Sequence, residues 1–378
     1  MEFDFLRPVD DKLLAHNLML PEQVLGRNLR IHTRQEGFPD LKNVGLVIVS
    51  LDSRSNNGDS LHVRFRQHFY QLFAGNWDFA YADLGVILPG ESSEDTLFAI
   101  QTLVKEMHQR NILTILVGGE QENTLGMFRG LSSMNTFVNL TSIDSHFDFG
   151  APGLLVSDDS YMSKIITEKP NNLKQFTNLG YQSYYVSQEE LDLMQKLFFD
   201  AHRLGDISSD IQEAEPILRD TDILSVDCGA IKASEMDYSK GSPNGFDGAQ
   251  ICKLMRYAGL SDRLSVMGLY PVSSSHRADQ LLAQMVWYVL EGYCYRVNEY
   301  PFSTHEACTK FVVPLEQETL IFYKSNKSQR WWIEVPKEGK YNNKKQMTLL
   351  PCAEKDYRLA QKGEIPSRWW KSVQRNMH

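Results

Sequence analysis

The feature that most constrains the fold is a regular alternation of apolar strand patterns and amphipathic helix patterns between Val44 and Tyr293. Near-continuous apolar runs such as VGLVIVSL, at Val44–Leu51, are typical of strands that are buried on both faces. Helical patterns follow them, one of which begins at a capping box formed by Ser92 and Asp95. This succession predicts right-handed βαβ crossovers, and therefore a three-layer α/β/α fold with a mostly parallel sheet.

The pattern divides the chain into three parts. Residues 1–43 lack a sustained period and predict an irregular N-terminal arm with one short helix, and residues 44–300 form the α/β domain. In residues 301–378, the segments LIFYKS and WWIEVP flank a polar turn, which predicts a hairpin-containing extension. We expect its tryptophans to pack on the main domain, because tryptophan usually buries most of its surface, although the Trp331–Trp332 pair can alternatively form an exposed partner site.

Composition and net charge exclude several classes of protein. The 378 residues include 42% hydrophobic and 11% aromatic residues, enough for a large core, and the net charge of −9 argues against a general nucleic-acid or anionic-membrane binder. We find no apolar run of membrane-spanning length and no basic, then apolar, N-terminal signal, so we expect a cytoplasmic protein. Five scattered cysteines without a C-x-x-C pair predict reduced thiols.

Polar residues stand where several of the predicted strands end. In TSIDSHFDFG, strict alternation places Asp144, His146 and Asp148 on one face, where two carboxylates and an imidazole can converge on a cation. Asp227 ends another strand, and Gln121 lies just past a third. Ligands of parallel sheets bind at the carboxyl ends of strands, and we expect these three ends to be neighbours. The alternative is structural: an acidic loop whose aspartates cap helices or bind loop amides.

Three motifs resemble those of the arginase, agmatinase and formiminoglutamase (ureohydrolase) superfamily, and the resemblance covers roughly residues 44–298. VGGEQEN, from Val117 to Asn123, is similar to the Gly-Gly-Asp-His motif of that superfamily. IDSHFD, from Ile143 to Asp148, resembles Asp-Ala-His-x-Asp, and SVDCGA, from Ser225 to Ala230, resembles Ser-x-Asp-x-Asp. The resemblance implies an arginase-like fold, hydrolysis of C–N bonds in small linear amidines or amides, and a site for two manganese ions.

The resemblance also shows where this chain departs from the family pattern. It keeps four of the six metal-ligand positions, as Asp144, His146, Asp148 and Asp227. Gln121 stands in place of the histidine of the first motif, and Gly229 in place of the second aspartate of the third. Two adjacent divalent ions need several carboxylates to offset their repulsion, so these changes argue against a full two-manganese centre. One manganese or zinc ion remains compatible with the four residues, with Gln121 as a further ligand.

The same resemblance to the ureohydrolase superfamily indicates candidate catalytic residues. The loop VSDDSYMS lacks the proton-shuttling histidine of the arginases and offers Ser160 or Tyr161 instead, and MGLYPV lacks a carboxylate to bind a guanidinium group. Asp148 and Glu120 are the candidate catalytic residues, with Glu122 as an alternative base, although carboxylates at a helix start are common for structural reasons. Without a metal, the carboxylates need a proton or a cation such as Lys232.

Three functional hypotheses stay open on the sequence. The first is a ureohydrolase-family protein with an eroded metal centre and weak or no activity toward arginine. The second is an active amide or amidine hydrolase, either with one ion on Asp144, His146 and Asp227 and an open coordination position, or with a rearranged site that Gln121 or water completes. The third is a partner-binding scaffold that uses the C-terminal extension. Family members commonly form trimers or hexamers, so a homo-oligomer is also expected.

Overall fold

The computed structural model describes residues 3–52, 61–150, 156–273, 275–299, 307–316, 318–337 and 346–377. The main sheet contains β1 (Leu6–Arg7), β2 (Arg30–Ile31), β3 (Val44–Leu51), β4 (Ala80–Ile87), β5 (Leu113–Gly118), β6 (Val138–Ile143), β7 (Leu173–Tyr181), β8 (Asp200–Arg203), β9 (Ile223–Asp227) and β10 (Val266–Tyr270). The second sheet contains β11 (Cys308–Pro314), β12 (Thr319–Ser325), β13 (Trp331–Lys337) and β14 (Gln346–Cys352).

Helices follow most strands of the main sheet, and two more follow the last strand of the second sheet. They are α1 (Asp11–Asn17), α2 (Leu25–Asn28), α3 (Leu61–Phe69), α4 (Ser93–Gln109), α5 (Thr124–Ser132), α6 (Tyr161–Thr167), α7 (Gln188–Lys196), α8 (Leu204–Ser209), α9 (Ala214–Arg219), α10 (Ala233–Met236), α11 (Gly248–Gly259), α12 (His276–Cys294), α13 (Glu354–Gln361) and α14 (Ser367–Met377). The predicted capping box of α4 is present: Ser92 and Asp95 bind each other's backbone amides.

The main sheet confirms the predicted α/β class. Its strand order is β1-β4-β3-β5-β10-β9-β6-β7-β8, with β2 also paired to β4, and every pair except β1–β4 is parallel. Two clusters of buried apolar side chains, one on each face of the sheet, form the core between the sheet and its helices. Parallel strands need this double cover, because both of their faces are apolar.

The N-terminal arm differs from the prediction. It contains two short helices, and its strands β1 and β2 both pair with β4, so the arm extends the main sheet. Strands of two residues are too short to show an alternating pattern, which is why the sequence predicts an irregular segment there.

The C-terminal extension forms an antiparallel sheet in the order β11-β12-β13-β14, together with α13 and α14. The predicted hairpin is β12–β13, and the two outer strands are additional. Trp331 and Trp369 belong to the extension's own core, whereas the Trp332 ring lies 4.4 Å from the guanidinium of Arg219 at the end of α9. Burial of these three rings agrees with core packing rather than an exposed partner site, but Trp331 and Trp369 pack within the extension and not on the main domain as predicted. Trp370 is half exposed.

Replacement of Trp332 by alanine is expected to weaken the attachment of the extension. The indole is 3% exposed, and its loss would leave a cavity beside Arg219, so we expect the free energy of unfolding to fall by about 3–5 kcal/mol. Urea unfolding and limited proteolysis of the extension measure the effect. The half-exposed Trp370→Ala is the matched control, expected to change stability by about 0.5 kcal/mol or less; equal losses in both variants would contradict this role of Trp332.

Two further sequence predictions concern the cysteines and membrane-spanning segments. All five cysteines are free, in agreement with the expected reduced thiols. None of the helices in the described ranges has both the length and the apolar character required to cross a bilayer.

Candidate active site at the carboxyl ends of the strands

The ends of β5, β6 and β9 carry the residues singled out in the sequence. Gln121 begins a 3-10 turn shortly after β5, Asp144 directly follows β6, and Asp227 is the last residue of β9. Strands β6 and β9 are neighbours, but β10 lies between β9 and β5. The prediction that all three strand ends are adjacent is therefore wrong for β5, although the side chain of Gln121 still reaches Asp144.

A short hydrogen bond joins Gln121 to Asp144. The Gln121 Nε2 amide donates to Asp144 Oδ2 at 2.6 Å, and it also lies 3.2 Å from the Tyr161 hydroxyl. The other carboxylate oxygen of Asp144 accepts the backbone N–H of His146 at 2.9 Å. Gln121 and Asp144 are both buried, so these contacts satisfy much of the hydrogen-bonding capacity of the Asp144 carboxylate.

Several side-chain hydroxyl groups lie close to the Gln121 amide. Ser142 and Ser225 lie within 3.5 Å of the Gln121 amide, which also contacts the Tyr161 hydroxyl. Ser225 also contacts Thr124 at 2.9 Å, and Thr124 donates to the Tyr270 hydroxyl at 3.1 Å. No sequence motif points to Thr124, Ser142 or Tyr270; the one signal for Ser142 is that it is a polar residue within a buried strand.

Burial raises the pKa of the phenol of Tyr161 well above its usual range, and the nearby charges of Asp148 and Asp144 raise it further. Burial likewise raises the pKa of Tyr270. Both phenols are therefore neutral, and they can donate and accept hydrogen bonds but cannot supply a cation's counter-charge.

Asp148 is hydrogen-bonded through its side chain to Asp144. Burial raises the pKa of Asp148 well above its usual range, and the negative charges of Asp144 and Asp227 raise it further. The pKa of Asp144 is also raised by burial, although its hydrogen bonds from the His146 amide and the Gln121 side chain oppose the shift. A proton on Asp148 that is donated to Asp144 satisfies both groups.

Asp227 turns toward the loop that follows it. Its Oδ1 accepts the Gly229 N–H at 2.9 Å, and burial, with the charge of Asp144, raises the pKa of the carboxyl well above its usual range. A Cβ atom on Gly229 would lie 2.5 Å from Asp227 Oδ2, so a side chain at that position requires this carboxyl to move. Asp144 and Asp227 thus both bind loop amides, as the structural alternative expects.

His146 does not join the carboxylates. Its side chain is 48% exposed, and its Nδ1 lies 3.9 Å from Asp144 Oδ1 but 2.9 Å from Ser145 Oγ. The ring stacks on Tyr185 with centroids 4.8 Å apart. Strict alternation fails here because β6 ends at Ile143 and the chain then turns, with Asp148 in the left-handed region at φ 55°.

The remaining candidates lie apart from the Gln121–Asp144 pair. Glu120 is exposed, and together with Glu122 it lines a small recess that also contains Asp52. Lys232, the candidate counter-ion of the carboxylates, pairs instead with Asp247 at 3.9 Å. Ser160 is buried and bonded to Ser157, which leaves Tyr161 as the residue of that loop inside the site.

A match to a known protein family identifies the family of this chain. Residues 58–289, more than half of the chain, match the profile of the arginase family. The chain belongs to the arginase family. Among curated protein sequences, none matches it significantly.

Solved structures of arginase-family enzymes share the fold of this chain. Formiminoglutamase from Trypanosoma cruzi, solved with Mn²⁺, superposes with a TM-score of 0.61 at 17% identity and covers 68% of this chain and 96% of its own. Formimidoylglutamase from Bacillus subtilis gives 0.59 at 14%, covering 69% and 91%. Agmatine ureohydrolase from Thermoplasma volcanium gives 0.55 at 16%, covering 68% and 92%.

The arginase family implies manganese, and the donor atoms of this site test whether such an ion fits. In the parts of the chain that the structure describes, no three His, Cys, Asp or Glu side chains stand together in a way that could hold a metal ion. Gln121 directs an N–H at Asp144, Asp148 is bonded to Asp144, and His146 is turned toward Tyr185. As placed, these side chains bind one another or turn away, and they do not form a donor set for a metal ion among the described residues.

Proposed function

We propose that this chain is an arginase-family protein with an eroded metal centre that has little or no hydrolytic activity toward arginine. The observation that supports the proposal is the 2.6 Å hydrogen bond from the Gln121 amide to Asp144. By resemblance, Asp144 is a bridging ligand between two manganese ions, and Gln121 stands where the family has a histidine ligand. An amide N–H thus occupies a direction from which a cation would approach the carboxylate.

The energetics of the site favour this interpretation. A hydrogen bond from a neutral donor to a charged acceptor contributes about 1.5–3 kcal/mol, and a cation at Asp144 Oδ2 would have to displace it. The amide can turn to present its oxygen to an ion, but that oxygen is neutral and offsets less repulsion than a carboxylate. Gly229 supplies no side chain at the other lost position.

Metal analysis combined with turnover tests the proposal. Protein purified without chelator, before and after incubation with Mn²⁺ or Zn²⁺, is expected to contain well below one ion per chain and to leave arginine, agmatine and N-formimino-L-glutamate unchanged. One ion per chain together with turnover of an amidine or amide would instead support the single-metal hydrolase. Two ions per chain with arginine hydrolysis would overturn the proposal.

Restoring the two missing ligands is expected to create metal affinity. Gln121→His with Gly229→Asp returns an imidazole and a carboxylate, so Mn²⁺ is expected to raise the melting temperature of the double variant but not of the parent chain. Without Mn²⁺ we expect a loss of about 1–3 kcal/mol, because the new side chain at position 229 displaces the Asp227 carboxyl. Thermal unfolding with and without Mn²⁺ measures both effects.

The matched control is Gln121→His with Gly229→Asn, because asparagine has nearly the same size as aspartate but lacks its charge. It is expected to lose similar stability and to respond weakly to Mn²⁺. If the control and the aspartate variant bind Mn²⁺ equally, the missing carboxylate is not what limits metal binding.

A further inference from the structure

A cavity of about 400 Å³, here named the rim cavity, lies at the carboxyl ends of β7, β8 and β9. Its walls are the segment after β7, the start of α8, the loop after β9 and the first turn of α11. Ligands of open α/β sheets bind outside the carboxyl ends of the strands, in sites of about 300–1,000 Å³. The position and the volume of the rim cavity are therefore those of a site for a small molecule.

The lining of the rim cavity includes two cations and, among the described residues, no carboxylate. Arg203, the last residue of β8, is exposed and forms no ion pair with another described residue. Lys232 pairs with Asp247 at 3.9 Å, but more than a third of each side chain is exposed, so this pair contributes little and leaves Lys232 accessible to a ligand. With Asp247 counted, the wall keeps an excess of one positive charge, which favours an anion.

An exposed row of aromatic rings runs from the rim cavity toward the candidate active site. Tyr184, which lines the cavity, meets Tyr185 edge to face with ring centroids 4.6 Å apart, and Tyr185 stacks on His146 at 4.8 Å. Tyr184 is 63% exposed, so its ring is accessible from the cavity. Exposed aromatic rings of this kind bind planar ligands, including nucleobases, by stacking.

A buried amide holds Tyr184 in place. Gln182 is 5% exposed; its Nε2 donates to the Asn244 carbonyl at 3.2 Å, and its Oε1 accepts the Tyr184 hydroxyl. The Gln182 backbone N–H also donates to the Ser145 carbonyl at 3.0 Å, which joins this wall to the segment that follows Asp144. These bonds fix the ring before a ligand binds, which reduces the entropy lost on binding.

We propose that the rim cavity binds a nucleoside monophosphate, with the phosphate between Arg203 and Lys232 and the base against Tyr184. A phosphate monoester carries about two negative charges, and cations from two separate walls can contact different oxygens of it, whereas Arg203 alone satisfies a carboxylate. An excess of one positive charge suits one phosphate better than a chain of two or three. The hydroxyls of Ser183 and Ser208 line the same cavity and can bind the sugar. The proposal does not depend on hydrolytic activity at the carboxylates.

Calorimetric titration of the full-length protein with adenosine 5′-monophosphate (AMP) as the probe tests the proposal. We expect a dissociation constant of about 10–300 µM at low salt, and severalfold weaker binding at about 0.5 M NaCl, because salt screens the exposed cations. Adenosine lacks the phosphate and ribose 5-phosphate lacks the base; each is expected to bind at least about tenfold more weakly. Because every base can stack, the monophosphates of guanosine, cytidine and uridine should bind within about tenfold of AMP.

Variants locate the bound nucleotide. Arg203→Gln removes the cation without an ion pair, and Tyr184→Leu removes the flat ring but keeps apolar bulk; both side chains are exposed, and thermal unfolding checks that both variants are folded. Each is expected to weaken AMP binding about tenfold. The matched controls are the exposed Arg7→Gln, on β1 at the opposite edge of the main sheet, and the exposed Tyr295→Leu, at the end of α12. Both controls should leave AMP binding unchanged.

Three results would overturn the proposal. The first is the absence of AMP binding at millimolar concentration. The second is binding of inorganic phosphate or ribose 5-phosphate as tight as that of AMP, which would mean that the base is not recognised. The third is AMP binding that Arg203→Gln and Tyr184→Leu leave intact, which would place the nucleotide elsewhere. Since none of these measurements involves a metal ion or turnover, they are distinct from the tests of the eroded metal centre.

Discussion

Asp148→Asn is expected to make the protein more stable at pH 8, by about 1–3 kcal/mol, the usual cost of an uncompensated buried polar group. The asparagine amide can donate to Asp144 as the protonated Asp148 does, and asparagine tolerates the left-handed backbone at φ 55°. At pH 8 the parent chain must either take up a proton on folding or bury a second charge beside Asp144. The variant avoids both costs.

The pH dependence gives this prediction a definite sign. Burial raises the pKa of Asp148 in the folded state above the value of about 3.9 in the unfolded chain. Its contribution to stability is therefore complete below that unfolded pKa and is lost as the pH rises through the folded pKa. The gain from Asp148→Asn should be smaller at pH 5 than at pH 8, which urea unfolding at the two pH values measures.

The exposed Asp159→Asn, on the same segment of chain, is the control and should change stability little at either pH. A loss of stability in Asp148→Asn at pH 8 would mean that the parent carboxyl is ionised there and is held by a cation. Such a result would favour a metal-binding role for Asp148.

Arg66→Met is expected to lower the free energy of unfolding by about 3–5 kcal/mol. Arg66 and Asp83 are both fully buried, and two parallel hydrogen bonds of 2.7 and 2.8 Å join the guanidinium to the carboxylate. Arg66 also donates to Ser50 Oγ on β3, so it ties α3 to two strands. Methionine fills much of the space but leaves Asp83 buried without its cation.

Urea unfolding of Arg66→Met should be compared with Arg110→Met, which breaks the exposed pair between Arg110 and Glu106. The exposed variant is expected to change stability by about 0.5 kcal/mol or less. Arg66→Met with Asp83→Leu removes both charges and should lose less than the sum of the single losses. Similar effects of Arg66→Met and Arg110→Met would refute this account of the buried pair.

The sequence predicted the order and type of the main elements because their signals are local. The apolar run at Val44–Leu51 and the capping box at Ser92 identify a strand and a helix without tertiary information. The order of strands in the sheet is not local, and so the position of β10 between β9 and β5 was missed. The short strand β1 was missed because it is defined only by its pairing with β4.

At the candidate site, the sequence predicted which residues come together better than it predicted the orientation of their side chains. Gln121, Asp144 and Asp148 do come together, as expected of residues at strand ends. His146 was predicted to face the same way, but the turn after β6 and the stacking on Tyr185 direct its ring outward. Side-chain orientation in a turn depends on backbone angles that a pattern of alternating residues does not encode.

The two ends of the main sheet bear on how copies of this chain can associate. One end is the two-residue β1 and the other the four-residue β8, where α14 binds Asp200 through Lys371 and Arg375. Short, charged and covered edges oppose the addition of a strand from another molecule. A homo-oligomer of this chain would therefore be held by side chains on its helices and loops, not by a sheet that continues from one subunit into the next.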